Sequence, residues 1–374
     1  MHRLSLMSTE KLFFELIRIA IGKQKKFASL PNEEQWHELY HLSVQHTLVG
    51  VTFPAIECLP EDQRPPKDVL LQWYMMKESI VKRNRLLNKR TVETTTHFQN
   101  HGFKCCILKG QGVATLYPNP LLRTSGDIDV WLCGGRKRIY EFTRLDAKLE
   151  GFTYMHIHYP LHNDVDVEVH VTPGYLFAPM ENLRLQRYFH RCSKVQFCND
   201  IELPDGVGRI NVPTDEFNKF YIFLHIYRHF FYEGIGFRQV FDYYYVLRQS
   251  ATEDCMMRTV EMFRSLKMLR FACAMMWVLK EVFGLEDEFL LVEPDEKEGR
   301  FLLSEIMQAG NFGKYDTRID RKNYHKLLPR VWNSVKRNWK FLVRYPHEVI
   351  WDIPFGIWSF FWRRWKILEL RMRK

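Results

Sequence analysis

No Cys-x-x-Cys pair occurs among the eight cysteines of the chain, which speaks against a zinc or disulfide framework. No apolar run approaches the ~20 residues that a membrane-spanning helix needs. The longest candidate, Ile353 to Trp362, is interrupted by Pro354 and Gly356. No basic segment followed by a long apolar run opens the chain: Leu12-Phe13-Phe14 is cut by Glu15 and then by Arg18. Internal repeats and low-complexity stretches are also missing. Together these absences lead to the expectation of a cytoplasmic protein with free thiols.

What is present fits a globular chain. At 374 residues, with 46% hydrophobic and 26% charged side chains, it can bury a sizeable core in two or three domains. The formal net charge of +10 favours an anionic partner: a nucleotide, a nucleic acid or a membrane surface.

Residues 1–97 read as helices. Leu12, Phe13, Leu16, Ile17 and Ala20 recur at helical spacing. Asn32 is placed to cap a helix carrying Trp36, Leu39 and Tyr40. A short helix over 46–53 is expected to stop at Pro54, and a long basic one to run from Asp68 to about Gln99. Residues 98–210 change character. Strands are expected over 102–108, 127–132, from Gly151, and over 164–171, with a helix from Arg136 to Glu150. Residues 211–345 return to helix, entered at a Thr214 cap, with one long stretch from Glu253 to Phe283 and a mobile basic linker over 310–326. Residues 346–374 form an aromatic and basic tail.

The chemistry gathers at Asp127-Ile128-Asp129. In a strand, residues i and i+2 face one way, about 6.6 Å apart, so the two carboxylates project together while Ile128 turns into a core. Like charges so placed repel unless a cation lies between them, which points to a hard divalent ion. An Asp-x-Asp alone occurs by chance in most chains. Here it is joined by Asp164-Val165-Asp166-Val167-Glu168-Val169-His170, which puts every valine on one face and three acids with His170 on the other. Upstream, Lys109 supplies charge, and the backbone N–H groups of Gly110 and Gln111 at a helix start can hold phosphate oxygens. Arg123 stands one turn before the acids, where it can neutralise a triphosphate or form a structural pair. Ser125 and Gly126 shape the turn. His170 reads as an orienter of the carboxylates. His225 and His229, one helical turn apart, read as packed or cleft-lining residues, since no Glu follows the first His. Arg238 and Asp242 read as an intrahelical pair.

Leu108-Lys109-Gly110, Leu116-Tyr117-Pro118, Arg123, Asp127-Ile128-Asp129 and Glu168-Val169-His170 resemble bacterial nucleotidyltransferase-like proteins of the DNA polymerase beta superfamily. The resemblance covers most of the chain in outline and is specific over 107–132 and 164–170. It implies an α+β fold, a small mixed sheet flanked by N- and C-terminal helical regions. It also implies that Asp127, Asp129 and Glu168 bind Mg²⁺ (or Mn²⁺), with Asp166 the alternate third acid. A nucleoside monophosphate would pass from an NTP to an acceptor hydroxyl, with ATP among the candidate donors. Lys109, Gly110, Gln111, Arg123 and Ser125 would face the nucleotide. The superfamily usually carries Gly-Ser in the turn before its acids; Lys109-Gly110 and a longer gap stand here instead.

The tail runs from Trp351 and Phe355 through Trp358, Phe360, Phe361 and Trp362 to Arg363-Arg364-Trp365-Lys366. It reads either as an interfacial helix on an anionic membrane or as a packing element against the N-terminal helices or a partner. The alternatives to an enzyme are a degenerate nucleotidyltransferase fold that binds a nucleotide or partner without turnover, and a membrane-peripheral protein of surface-polysaccharide production.

Overall fold

The computed structural model describes residues 2–144, 152–318 and 339–372. The N-terminal part is helical: α1 (His2–Ala20), α2 (Glu33–Gln45), α3 (Val49–Cys58) and the long α4 (Lys67–Asn100). Asn32 caps α2 in a capping box: its side chain accepts from the Gln35 N–H at 2.8 Å, and the Gln35 side chain accepts from the Asn32 N–H at 2.9 Å. Pro54 lies inside α3 rather than ending it. That helix is held by its surroundings: the Trp73 indole donates to the Val49 carbonyl at 3.0 Å. A Cβ built on Gly50 would meet the Leu122 carbonyl oxygen at 2.2 Å, so only glycine permits this approach.

A four-stranded mixed sheet follows, in the order β1-β2-β4-β3: β1 (Cys105–Leu108), β2 (Ile128–Leu132), β3 (His156–Tyr159) and β4 (Val167–His170), with the short helix α5 (Gly110–Ala114) between β1 and β2. β1 is antiparallel to β2, β2 parallel to β4, and β4 antiparallel to β3. The strands that carry chemistry are shorter than the alternation suggested. Asp127 sits just before β2 and Asp164 just before β4; β3 begins at His156 after a bend, with Phe152 in an isolated bridge.

The period of two decides what each sheet face meets. Ile107, Ile128, Val130, Ile157, Val167 and Val169 pack into one cluster with Leu87 and Phe98 of α4 and with Ile139 and Tyr140 of α6 (Gly135–Thr143). Cys106, Leu108 and Trp131 face the other way, into the larger core. That core takes residues from α1 to α3, from α7 (Pro179–Gln196) and α8 (Asp215–Tyr232), and from the later helices, so both helical flanks share it. Burial pushes the Cys105 thiol up to about 12, which keeps it an unreactive apolar neighbour. All eight cysteines are free.

The hairpin β5 (Asp200–Glu202) and β6 (Arg209–Asn211) precedes α8, which Thr214 caps by accepting from the Phe217 N–H at 3.3 Å. Then come α9 (Phe237–Leu247), α10 (Glu253–Ser265), α11 (Leu269–Phe283) and α12 (Glu296–Ala309). The single helix expected over 253–283 is two, divided at Lys267, whose φ is +59°. α6 spans Gly135–Thr143, and the last part of the helix expected to Glu150 lies outside the described residues, as does most of the expected linker. The final helix, α13 (Pro346–Met372), packs on the sheet region rather than on the N-terminal helices: Trp358 lies 5.4 Å from Tyr154, and Phe355 stacks 4.9 Å from Tyr175.

Candidate active site

Strand register brings the acids together. Asp129 of β2 is paired with Glu168 of β4, its parallel neighbour, and Glu168 is paired with His158 of β3. Two residues further along, Trp131, His170 and His156 form the next row on the same face. Asp127 stands two residues before Asp129, exposed, with no ion pair to any described residue. Asp127, Asp129, Glu168 and His156 floor a cleft of about 220 Å³. Its far wall is one face of α8 (Ile222, His225, Ile226 and His229) together with Arg238, Gln239 and Asp242 of α9. The α8 residues recur at i, i+3, i+4 and i+7, the spacing of one helix face. A wider, shallower hollow of about 620 Å³ near Val260, Cys273 and Pro294 contains no histidine. Its Asp287 is already paired with Lys280.

The turn after β1 has a strained backbone. Lys109 adopts φ 54°, ψ −131°, and Gly110 follows at φ 40°. A lysine in that region costs about 1–3 kcal/mol and persists only when its surroundings fix it. The fixing contact is with Asp129: Lys109 Nζ lies 2.9 Å from Asp129 Oδ2, while His170 Nε2 lies 2.7 Å from Asp129 Oδ1. Burial alone would raise the Asp129 pKa, but the Lys109 ammonium and the His170 hydrogen bond outweigh it and hold the carboxyl well below its usual range. Asp127 is raised, first by the charge on Asp129 and then by partial loss of water within the cleft. Glu168 is lowered: burial opposes its charge, and the attraction of the His170 ring 3.6 Å away prevails. Burial lowers the His170 pKa, but the hydrogen bond to Asp129 and the nearby Glu168 carboxylate overcome this and raise it. Burial, reinforced by His170, pushes His156 down to about 3, so its ring is neutral.

Of the residues expected to face a nucleotide, several have internal partners. The Arg123 guanidinium, 2% exposed, grips Asp242 through Nε–Oδ1 at 2.6 Å and Nη2–Oδ2 at 2.7 Å, and Nη1 donates to Ser125 Oγ at 2.8 Å. Tyr117 donates to the same Asp242 at 2.7 Å. Asp242 therefore pairs across 119 residues with Arg123, not with Arg238 one turn away, which corrects the expected intrahelical pair. Arg238 lines the cleft with its guanidinium 5.3 Å from the Phe312 ring centroid, and no ion pair engages it among the described residues. The Gln111 side chain is buried and donates to Asn88, away from the cleft. Asp166 is exposed and does not line the cleft, and Asp164 is taken by Arg90 at 2.8 Å, so Glu168 is the strand's acid that reaches the floor. His156 and His158 were not anticipated as site residues. The signal was the His-x-His spacing, which becomes informative once the strand's facing is known.

The parallel pair of β2 and β4 presents one acid before β2, one on it and one beside it on a single face. The chain belongs to the family described as uncharacterised nucleotidyltransferases, whose model matches residues 32–284. No curated protein matches the chain, and no solved structure does. The matched span covers the sheet, both walls of the cleft and α2 to α11. It leaves out α1, α12 and the tail helix α13.

Proposed function

We propose that the chain transfers a nucleoside monophosphate from an NTP to an acceptor hydroxyl, releasing pyrophosphate, in the cleft floored by Asp127, Asp129 and Glu168. The observation that carries this reading is the register of Asp129 against Glu168, with the unpaired Asp127 beside them. The donor set fits a hard divalent cation: three carboxylates on one face, one of them, Asp127, held up by its neighbour's charge and without an ion pair among the described residues. Asp127, Asp129 and Glu168 would hold Mg²⁺ or Mn²⁺. When bound, the ion supplies charge neutralisation at the phosphates and polarises the acceptor oxygen.

The chain's own residues do the rest. Lys109 and His170 keep Asp129 ionised and fix its orientation. The buried Arg123–Asp242 pair, anchored by Tyr117, holds the α9 wall against the floor. Arg238, the cleft cation without a carboxylate partner, receives the anionic triphosphate. His225 and His229 line the same wall. Burial lowers the pKa of both, so they present neutral rings. Equilibrium NTP binding tests the reading: affinity should require Mg²⁺ in the wild type and lose that requirement in Asp127→Asn. Identical binding with and without metal in both proteins would refute it.

A second reading, nucleotide binding without turnover, draws on one feature. Both Asp129 oxygens already have basic partners, Lys109 and His170, and no serine stands in the Lys109-Gly110 turn. Release of labelled pyrophosphate across a panel of acceptor hydroxyls separates the two readings.

We further propose that α13 rests on an anionic membrane surface. No helix among the described residues is long and apolar enough to cross a bilayer. One side of α13 packs through Phe355, Trp358 and Trp362, while Ile350, Ile353, Ile357, Phe361 and Leu368 fall on a common outward stripe, each more than half exposed. Arg364 falls on that stripe between Phe361 and Leu368, as in helices that lie in the interface plane, whereas Lys366 turns to the packed side over the Tyr140 ring.

A further inference from the structure

We propose that the edge strand β3 adds a second cation position beside the cleft, built from His156, His158 and Glu168, which takes a first-row transition ion of the Zn²⁺ type in preference to Mg²⁺. The proposal shares Glu168 with the acidic site above but does not depend on nucleotidyl transfer.

Three observations carry it. First, the facing is fixed by backbone rather than by side-chain chance. His156 and His158 are two residues apart on β3, and register sets them opposite His170 and Glu168. Second, the donors converge. His156 Nδ1 lies 3.0 Å from Glu168 Oε2, His158 Nε2 lies 3.7 Å from Glu168 Oε1, and the three ligand atoms stand within 4.8 Å of one another. Zinc–nitrogen and zinc–carboxylate bonds are about 2.0–2.2 Å, which places tetrahedral donors roughly 3.4 Å apart. Small rotamer adjustments therefore suffice. Third, the buried Nδ1 of His156 has no hydrogen-bond partner among the described residues. Glu168 is close enough, but the pair is not aligned for a hydrogen bond. A cation between them would satisfy both.

Donor type decides the ion. Imidazole suits zinc, copper, nickel and iron, whereas magnesium is held by carboxylates, water and phosphate oxygens. The sequence lacks a cysteine framework for zinc, but these ligands need none. β3 is the sheet edge, and His158 is 53% exposed. Three protein ligands with an open side leave room for water or an acceptor oxygen, the arrangement of reactive rather than structural zinc sites.

Metal-stripped full-length protein, without nucleotide, is titrated with Zn²⁺ by calorimetry, and Co²⁺-loaded protein is examined by visible absorption to detect any thiolate ligation. The comparison set is wild type, His156→Ala, His158→Ala and Asp127→Asn. His158 is at the surface, so its variant should fold normally; melting temperature checks this for all four. Wild type should bind one ion without a thiolate band. Both histidine variants should lose at least tenfold in affinity, while Asp127→Asn stays within about twofold. Mg²⁺-dependent NTP binding should persist in His158→Ala. Zinc binding that is absent in wild type, unchanged in both histidine variants, or accompanied by a thiolate band would overturn the proposal. Loss of Mg²⁺-dependent NTP binding in Asp127→Asn alone bears on the nucleotidyl-transfer reading and leaves this one standing.

Discussion

Lys109 Nζ lies 2.9 Å from Asp129 Oδ2, so the lysine of the Lys-Gly turn neutralises a carboxylate of the cleft floor. The pair is buried, and removing one member of such a pair costs about 3–5 kcal/mol because the other charge is left uncompensated. Lys109→Met should therefore lower stability by roughly that amount in urea denaturation. Asp129→Asn added to Lys109→Met should restore part of the loss. Additive effects in the double-mutant cycle would mean that the contact carries no coupling.

The two arginines of the cleft should behave oppositely. Arg123 is committed to Asp242 through two hydrogen bonds in the interior, so Arg123→Ala should cost about 3–5 kcal/mol of stability. Arg238 touches an aromatic ring and no carboxylate, so Arg238→Ala should leave thermal stability nearly intact. It should weaken NTP binding roughly tenfold, the effect of losing one charge-assisted contact. Equal losses of NTP affinity with equal losses of stability would remove Arg238 from the triphosphate site.

These two arginines also mark the limit of what sequence could tell. The Asp127-Ile128-Asp129 facing and the buried Val165, Val167 and Val169 were legible because a strand's period is two and each apolar residue must find a core. The Asn32 and Thr214 caps were legible because capping is local chemistry. Asp242 was misassigned because an i, i+4 neighbour is visible in sequence, whereas a partner 119 residues away is not. The break at Lys267 lacks the glycine or proline that usually announces one. β3 was placed too early, so the common face of His156 and His158 could not be seen. α7 and the three-residue strands β5 and β6 were not anticipated; strands that short carry too little alternation to read.

Docking of α13 should depend on pH through Glu348. This carboxyl is 4% exposed, and burial raises its pKa to about 7 despite a backbone hydrogen bond from Phe177 and the charge of Arg228. A carboxyl raised in the folded state favours folding while it stays protonated. The contribution is lost as pH climbs from the unfolded value near 4.5 through 7. Glu348→Gln should thus melt higher than wild type at pH 8, by on the order of 3 kcal/mol at most, and match it near pH 4. A constant difference across that range would place the effect elsewhere.

The outward stripe of α13 can be tested without disturbing its packed side. Ile357→Glu and Phe361→Glu replace exposed side chains, so melting should hardly change. Co-sedimentation with phosphatidylserine-containing vesicles should fall severalfold, and high salt should weaken wild-type binding. Unchanged partitioning of the double variant would remove the membrane from the account.

The central claim is that Asp127, Asp129 and Glu168 act as one cation site serving an NTP. Crystals soaked with Mn²⁺ and a non-hydrolysable NTP analogue, with data collected at the manganese edge, test it most directly. The account predicts an anomalous peak within about 2.2 Å of carboxylate oxygens from all three acids, with the triphosphate reaching Arg238. An analogue bound elsewhere, or a floor where Lys109 and His170 still hold Asp129 and no manganese appears, would contradict it.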